Sequence, residues 1–337
     1  MRWSRSRLST VTKSLAVALL AAGLVPAPAS AAPVTCEQLD VPVTVFGTPQ
    51  SMHGTLCTPS GASTVQVLIP GGTYNSSYWD ISYAPESRSY RQAMNKAGIA
   101  TLAVDRLGTG RSSRPLSALV TASTQAHAVH QVIRKIRPRF EKVIVGGHSI
   151  GSAMALIEAG LNQDVDGVLV TGFTHRMNLV TVVPVLAGMV PAALDPQLRG
   201  YALDLGYLTT AAGTRYGAFH TPGPQVPQAI GLDEATKDVF ATSEAVDTIT
   251  LNNVVIPFTR LVDVPVMIAV GNDTHFCGQP LGSDCTSAEA LRASEAPFFS
   301  DAARLHTYVL DGYGHSINYA PNAPDYHRAV VEWARGI

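Results

Sequence analysis

Short apolar runs rich in Val and Ile recur along this chain, with longer stretches of helical spacing between them. Thr64 to Ile69 is followed by Gly71-Gly72 and a helix predicted over Glu86 to Ala97. Ala100 to Val104 comes next, then a glycine-rich turn and a long helix near Ser117 to Ile136. Lys142 to Val145 leads through Gly146-Gly147 into a helix over Ser149 to Gly160. Gly167 to Thr171, Val266 to Val270 and Leu305 to Leu310 are further runs, and a closing helix is expected over Asp325 to Ala334. Strands too short to alternate, each followed by a helix, predict a parallel sheet buried on both faces. Upstream, Val41 to Phe46 alternates and Met52 to Leu56 follows, a hairpin that would add antiparallel strands at one edge. The class is α/β.

One interval breaks this rhythm. Between Thr171 and Val264 lie 92 residues, where a crossover needs about a dozen. The interval opens on the uncharged run Met177 to Leu194, interrupted by Pro184 and Pro191. The prolines disqualify that run as a membrane span. A Gly/Pro-rich part, Gly213 to Pro227, leads into a helix predicted over Asp233 to Val246. Residues 172–263 are expected to form a helical lid or cap over the strand ends of a core made of 32–171 and 264–337. An ordinary subdomain with no part in substrate selection is the alternative.

The amino end has a different composition. Arg2, Arg5, Arg7 and Lys13 precede an apolar stretch, Ser14 to Val25, and Ala29-Ser30-Ala31 offers a small-x-small cleavage site. This layout predicts a secretory signal peptide over 1–31 and an extracellular protein. Cleavage before Ala32 removes four basic residues, leaving 20 against 25 acidic ones, so the net charge moves from −1 to −5. A mildly acidic chain without a basic run is poorly matched to nucleic acid or to anionic membranes. With 46% apolar and 15% charged residues it is globular. Its four cysteines fall in two sequence-local groups, which in an exported chain read as disulfides. Three connectivities are possible, and proximity favours Cys36 with Cys57 and Cys277 with Cys285. No C-x-x-C or H-x-x-x-H spacing points to a metal, and a solvated helix surface accounts for His127 and His130. No metal or cofactor is expected.

The chemistry begins at Gly147-His148-Ser149-Ile150-Gly151, a G-x-S-x-G pattern between a strand and a helix. The glycines permit a tight turn that presents the Ser149 hydroxyl, and the helix directs its N-terminal N–H groups toward charge forming there. A serine hydroxyl needs a base. Tyr313-Gly314-His315 follows the last strand, which would return His315 to the carboxyl edge of the sheet, whereas His148 inside the turn would point away from the reacting centre. Asp273 ends the strand Val266 to Val270 and completes the order Ser149, Asp273, His315. Asp263 and Asp301 precede their strands and lie at the wrong edge. The oxyanion donors expected are the Ile150 N–H and a backbone N–H from Pro70-Gly71-Gly72-Thr73, with Gly72 chosen and Thr73 as its neighbour. A Cys277–Cys285 bond would close a small loop beside Asp273 and stiffen it.

With these residues in place the chain resembles the α/β-hydrolase superfamily over about Val41 to Ile337. Pro70-Gly71-Gly72 through Trp79 looks like the family's His-Gly oxyanion loop with its downstream Trp, and Asp105 to Ser112 is similar to its D-x-x-G-x-G-x-S turn. Two departures stand out: Pro70 replaces the usual His, and the acid loop is one residue shorter than the common G-x-x-D form. The resemblance implies the fold and a Ser-His-Asp mechanism through an acyl-enzyme. A serine in the turn argues against haloalkane dehalogenases and epoxide hydrolases, which carry Asp there. The expectation is a secreted esterase or lipase acting on small, apolar esters. The alternatives are a peptidase or amidase of the same fold, whose amino-terminus site would draw on Asp233, Glu234, Asp238 or Glu244, and a lactone or polyester hydrolase. A catalytically silent binding protein would usually lack a triad member, and all three are present here.

Overall fold

The strands set the frame. In a computed structural model that describes residues 32–201, 204–253 and 258–337, together with positions 1 and 3, eight of them form one sheet. They are β1 (Val34–Val45), β2 (Thr48–Pro59), β3 (Thr64–Ile69), β4 (Ala100–Val104), β5 (Lys142–His148) and β6 (Gly167–Thr171), with β10 (Val266–Gly271) and β11 (His306–Leu310). Their spatial order is β1-β2-β4-β3-β5-β6-β10-β11. The hairpin β1–β2 and the pair β2–β4 are antiparallel, and the rest are parallel. The expected α/β architecture with an antiparallel edge is present. The signal-peptide reading concerns residues outside those described, apart from Met1 and Trp3.

Both faces of the parallel part are buried, as its unbroken apolar runs require. Val65, Val67, Val143, Val145, Val168, Val170, Val266 and Ile268 face one side, against α3 (Ala122–Ile136) and α4 (Ile150–Asn162). Leu68, Ile144, Leu169 and Met267 face the other, where α2 (Tyr90–Lys96) and α9 (Ala323–Arg335) contribute Tyr90, Met94, Tyr326 and Val330. The helix expected over Glu86 to Ala97 is two pieces, α1 (Pro85–Arg88) and α2. Ser89 breaks it: its backbone is extended, its hydroxyl donates to Asp80 Oδ1 at 2.6 Å and caps α2 by accepting from the Gln92 N–H. The helix near Ser117 to Ile136 likewise begins as a 3₁₀ turn and becomes α-helical at Ala122.

The insertion is only partly helical. It holds α5 (Leu179–Ala187), α6 (Pro227–Ala235) and α7 (Thr242–Asn253), and also a three-stranded antiparallel sheet of β7 (Met189–Pro191), β8 (Tyr207–Thr210) and β9 (Phe240–Ala241). The single helix expected over Asp233 to Val246 does not form. Residues 236–241 are instead drawn out by long-range bonds: the Asp238 N–H donates to Thr73 O at 2.9 Å, and β9 pairs with β8. A local helical preference loses to contacts it cannot anticipate. α8 (Ala288–Glu295) completes the helices described. Among the described residues no helix is long and apolar enough to cross a membrane. Both cysteine pairs, Cys36–Cys57 and Cys277–Cys285, are bonded as proximity favoured.

Candidate active site

The sheet brings four loops to one edge, those after β3, β5, β10 and β11. Ser149 sits between β5 and α4 with φ 55° and ψ −126°, a left-handed backbone that side chains rarely adopt. The turn is possible because its neighbours lack Cβ atoms. A Cβ on Gly147 would lie 2.1 Å from Gly151 O, and one on Gly151 would lie 2.5 Å from Ile69 O. Ile150 is the first residue of α4, so its N–H has no partner within the helix.

His315 and Asp273 meet directly. Nδ1 of His315 is 2.5 Å from Asp273 Oδ2, and both side chains are buried. A proton on Nδ1 donated to the carboxylate leaves Nε2 bare and able to accept one. Burial opposes the charge on Asp273, but His315 and then His275 outweigh it and hold the carboxyl below its usual range. The other oxygen, Oδ1, accepts from the His275 N–H at 2.9 Å. Asp263 and Asp301 are exposed ahead of their strands, as chain order indicates.

His315 is packed among rings. Phe276 stacks on it with centroids 5.8 Å apart, Phe219 lies at 5.8 Å and His148 at 4.8 Å. His148 is absent from the cleft lining, in keeping with a side chain inside the turn that points away from the centre, although its ring packs against His315. The same ring stacks on Tyr78 at 4.2 Å. Burial, then His315, push its pKa well below normal, so it packs there as a neutral ring.

Ser149, His315, Gly72 and Ile150 line one cleft of about 650 Å³, counted with its open mouth. Among the described residues there is no hydrogen bond between Ser149 and His315; they are brought together as neighbours in that wall. The rest of the cleft is apolar, with Met177, Val182, Val185 and Leu186 on one side and Phe240 and Phe276 on another. Among the described residues no carboxylate lines it. Gly72 faces the cleft beside Ile150, whereas Thr73 is wholly buried.

The loop carrying Gly72 is strained and clamped. Thr73 has φ 62°, costly for a β-branched residue. Arg215 holds it from the insertion, donating from Nη1 to Thr73 Oγ1 at 2.9 Å while forking onto Asp233 at 2.8 and 2.9 Å. Asp233 also meets His220 Nε2 at 2.7 Å, and His220 Nδ1 meets the Tyr313 hydroxyl at 2.8 Å, two residues before His315. A second buried pair joins Arg106 to Glu244, and Arg106 also donates to Gly71 O at 3.0 Å. Asp238 Oδ2 accepts from Asn75 Nδ2 at 2.9 Å and from the Gly110 N–H at 2.8 Å. Burial pushes its pKa up. Sequence reasoning did not find these partners. The acids stood out as isolated charges in the insertion: these partners of Asp238 and Glu244 lie more than a hundred residues away, and those of Asp233, Arg215 and His220, are separated from it by part of the Gly/Pro-rich stretch.

Residues 66–332 match the model of a family described as the alpha/beta hydrolase family. No curated protein matches the sequence. Among solved structures, a thermophilic esterase from Thermogutta terrifontis superposes with TM-score 0.57 at 14% identity, over 89% of this chain and 98% of that one. A highly thermostable carboxyl esterase from Bacillus coagulans gives 0.58 at 16% identity, over 89% and 98%. A monoacylglycerol lipase from Paleococcus ferrophilus gives 0.54 at 16% identity, over 89% and 98%. At these identities the likeness is one of fold.

Two predictions follow from the turn and the clamp. Gly147→Ala forces backbone apart at the turn and should cost about 3 kcal/mol or more, read as a lower melting temperature in calorimetry. Asp233 concerns pH. Burial raises its pKa, but Arg215 and then His220 win and hold it at about 2, against an unperturbed 3.8. A depressed carboxylate stabilises the fold above its unfolded pKa and loses that contribution as pH falls through its folded one. The contribution, about 2 to 3 kcal/mol, should therefore be complete above about pH 5 and vanish toward pH 2. Asp233→Asn strands the Arg215 charge and should cost about 3–5 kcal/mol at neutral pH. Denaturant melts from pH 2 to 7 should show both that loss and a flatter acid limb.

Proposed function

The chain belongs to the alpha/beta hydrolase family, and on that premise we propose that it is a secreted serine hydrolase of carboxylic esters with apolar acyl or alcohol parts. The observation that carries this reading is the His315–Asp273 contact of 2.5 Å together with the apolar cleft that His315 lines with Ser149 and Gly72. Ser149 Oγ attacks the acyl carbon while His315 Nε2 takes its proton. The oxyanion is held by the N–H groups of Ile150 and Gly72. His315 returns the proton to the departing alcohol as the C–O bond breaks, leaving the acyl group on Ser149. Water, deprotonated by His315, then releases the acid and frees the serine.

The ester reading gains support from what surrounds the cleft. A peptidase acting on free amino termini would need an exposed carboxylate there. Asp233, Asp238 and Glu244 are buried and bonded within the protein, and Glu234 Oε1 accepts from the Arg215 N–H at 3.3 Å. The apolar wall formed by α5 suits hydrocarbon on the substrate, which is the sense in which 172–263 serves as a lid. Export is supported by the leader-like composition of 1–31 and by two disulfides.

The test is a panel of aryl esters of rising chain length, run beside aminopeptidase and amide substrates, with Ser149→Ala and His315→Ala as controls. Esters should turn over and both variants should lose about 10⁴-fold or more in kcat. Ester turnover that survives Ser149→Ala would overturn the mechanism, and amide turnover above ester turnover would overturn the substrate class.

A further inference from the structure

We infer that His130, Glu158 and Asp164 form a divalent-cation site matched to zinc, in the seam between α3 and α4. His130 Nδ1 lies 3.3 Å from Glu158 Oε1 and 3.1 Å from Asp164 Oδ2, and one donor atom from each residue falls within 4.8 Å of the others. Tetrahedral zinc with bonds of about 2.1 Å places its ligands about 3.4 Å apart. The two separations from His130 Nδ1 approach that edge length before any metal has drawn the groups in.

A second observation separates this cluster from an ordinary surface group. Among the described residues, the buried carboxylate oxygens without a hydrogen-bond partner are Glu158 Oε2 and Asp164 Oδ1, and both belong here. The Glu158 side chain has no exposed surface, and neither acid has a lysine or arginine within ion-pair distance among those residues. A buried carboxylate needs a compensating charge or a proton. Burial, then Asp164, push the Glu158 pKa up to about 9, so with no ion present Glu158 keeps its proton beside Asp164. A cation in the seam would displace that proton and take its place.

The donors choose the metal. One imidazole nitrogen and two carboxylate oxygens, without sulfur, suit zinc or manganese, whereas calcium asks for six or more oxygens. His130 and Asp164 keep 18% and 29% of their surface exposed, which gives an ion a path in and leaves room for a water ligand. Asn162 Nδ2 reaches Glu158 Oε1 at 3.4 Å and can orient it. Glu158 lies eight residues along α4 from Ile150, about 12 Å of helix, so the ion would tie α3 to α4 and take no part in hydrolysis. His127 is exposed, whereas His130 is only partly so and meets Glu158 and Asp164, so solvation accounts fully for the first and in part for the second.

The test uses purified protein stripped with EDTA and titrated calorimetrically with zinc chloride, with manganese and calcium chlorides as further arms and thermal melts alongside. One zinc per chain should bind and raise the melting temperature. His130→Gln and Asp164→Asn, both at partly exposed positions and checked for folding by circular dichroism, should each weaken zinc at least tenfold, while His127→Gln should not. Absence of saturable zinc binding would overturn the proposal, as would unchanged affinity in the folded His130→Gln/Asp164→Asn double variant. Tighter binding of calcium than of zinc would overturn the assignment to zinc. Ester turnover should not change on stripping, so a failure here is distinguishable from a failure of the triad.

Discussion

Asp233 is a wholly buried carboxylate in the insertion, and its bonds to Arg215 and His220 tie together the two loops on which the proposed chemistry depends. Through Arg215 it reaches Thr73, in the loop that carries Gly72. Through His220 it reaches Tyr313, in the loop that carries His315. The backbone repeats the link, since the Ser316 N–H donates to Phe219 O at 2.9 Å. Neither loop belongs to a strand, so the sheet alone positions only their ends. A positive φ at Thr73 has to be held by something, and a guanidinium fixed by a carboxylate fork is a rigid way to hold it.

The second pair, Arg106 with Glu244, acts on the same loop from the other side through Gly71 O. Buried ion pairs of this kind are weak sources of net stability, because desolvation offsets much of the attraction. Their consequence is directional: each guanidinium is satisfied by one arrangement of its partners. Part of the insertion is therefore framework. It supports the Gly72 loop as firmly as the core does, and describing the whole of it as a movable cover misses that role.

How much of this was legible depended on the range of the contacts. Strand runs, the turn at Ser149 and the placing of Asp273 and His315 after their strands are written in short windows plus chain order. The Cys pairs were legible because each closes a short loop. The framework was not, because Asp238 meets Thr73 and Arg215 meets Thr73 across 165 and 142 residues, and no local pattern records such pairs. The same limit turned 233–246 into one helix and 86–97 into another, when Thr73 and Asp80 decide otherwise. His130 looked solvated for a related reason: its partners sit at the end of the next helix.

The remaining part of the insertion is built differently. None of the α5 residues is buried, and Leu179, Val180 and Val183 face solvent while Val182, Val185 and Leu186 face the cleft. Its two ends are nonetheless fixed. The Asn178 N–H donates to His275 O at 2.7 Å and Thr181 Oγ1 to Thr274 O at 2.8 Å, which anchors α5 to the loop that carries Asp273. That loop is closed by Cys277–Cys285. At the other end β7 pairs with β8, whose last residue, Thr210, accepts from Arg215. A nine-residue apolar helix hung between two rigid points can yield to a substrate at little cost, because moving it breaks hydrocarbon contacts and leaves the charged framework intact. On the proposed ester reading, the cleft can thus adapt to hydrocarbon without displacing Asp273, Gly72 or His315, and tolerance in the apolar wall is compatible with precision at the reacting atoms.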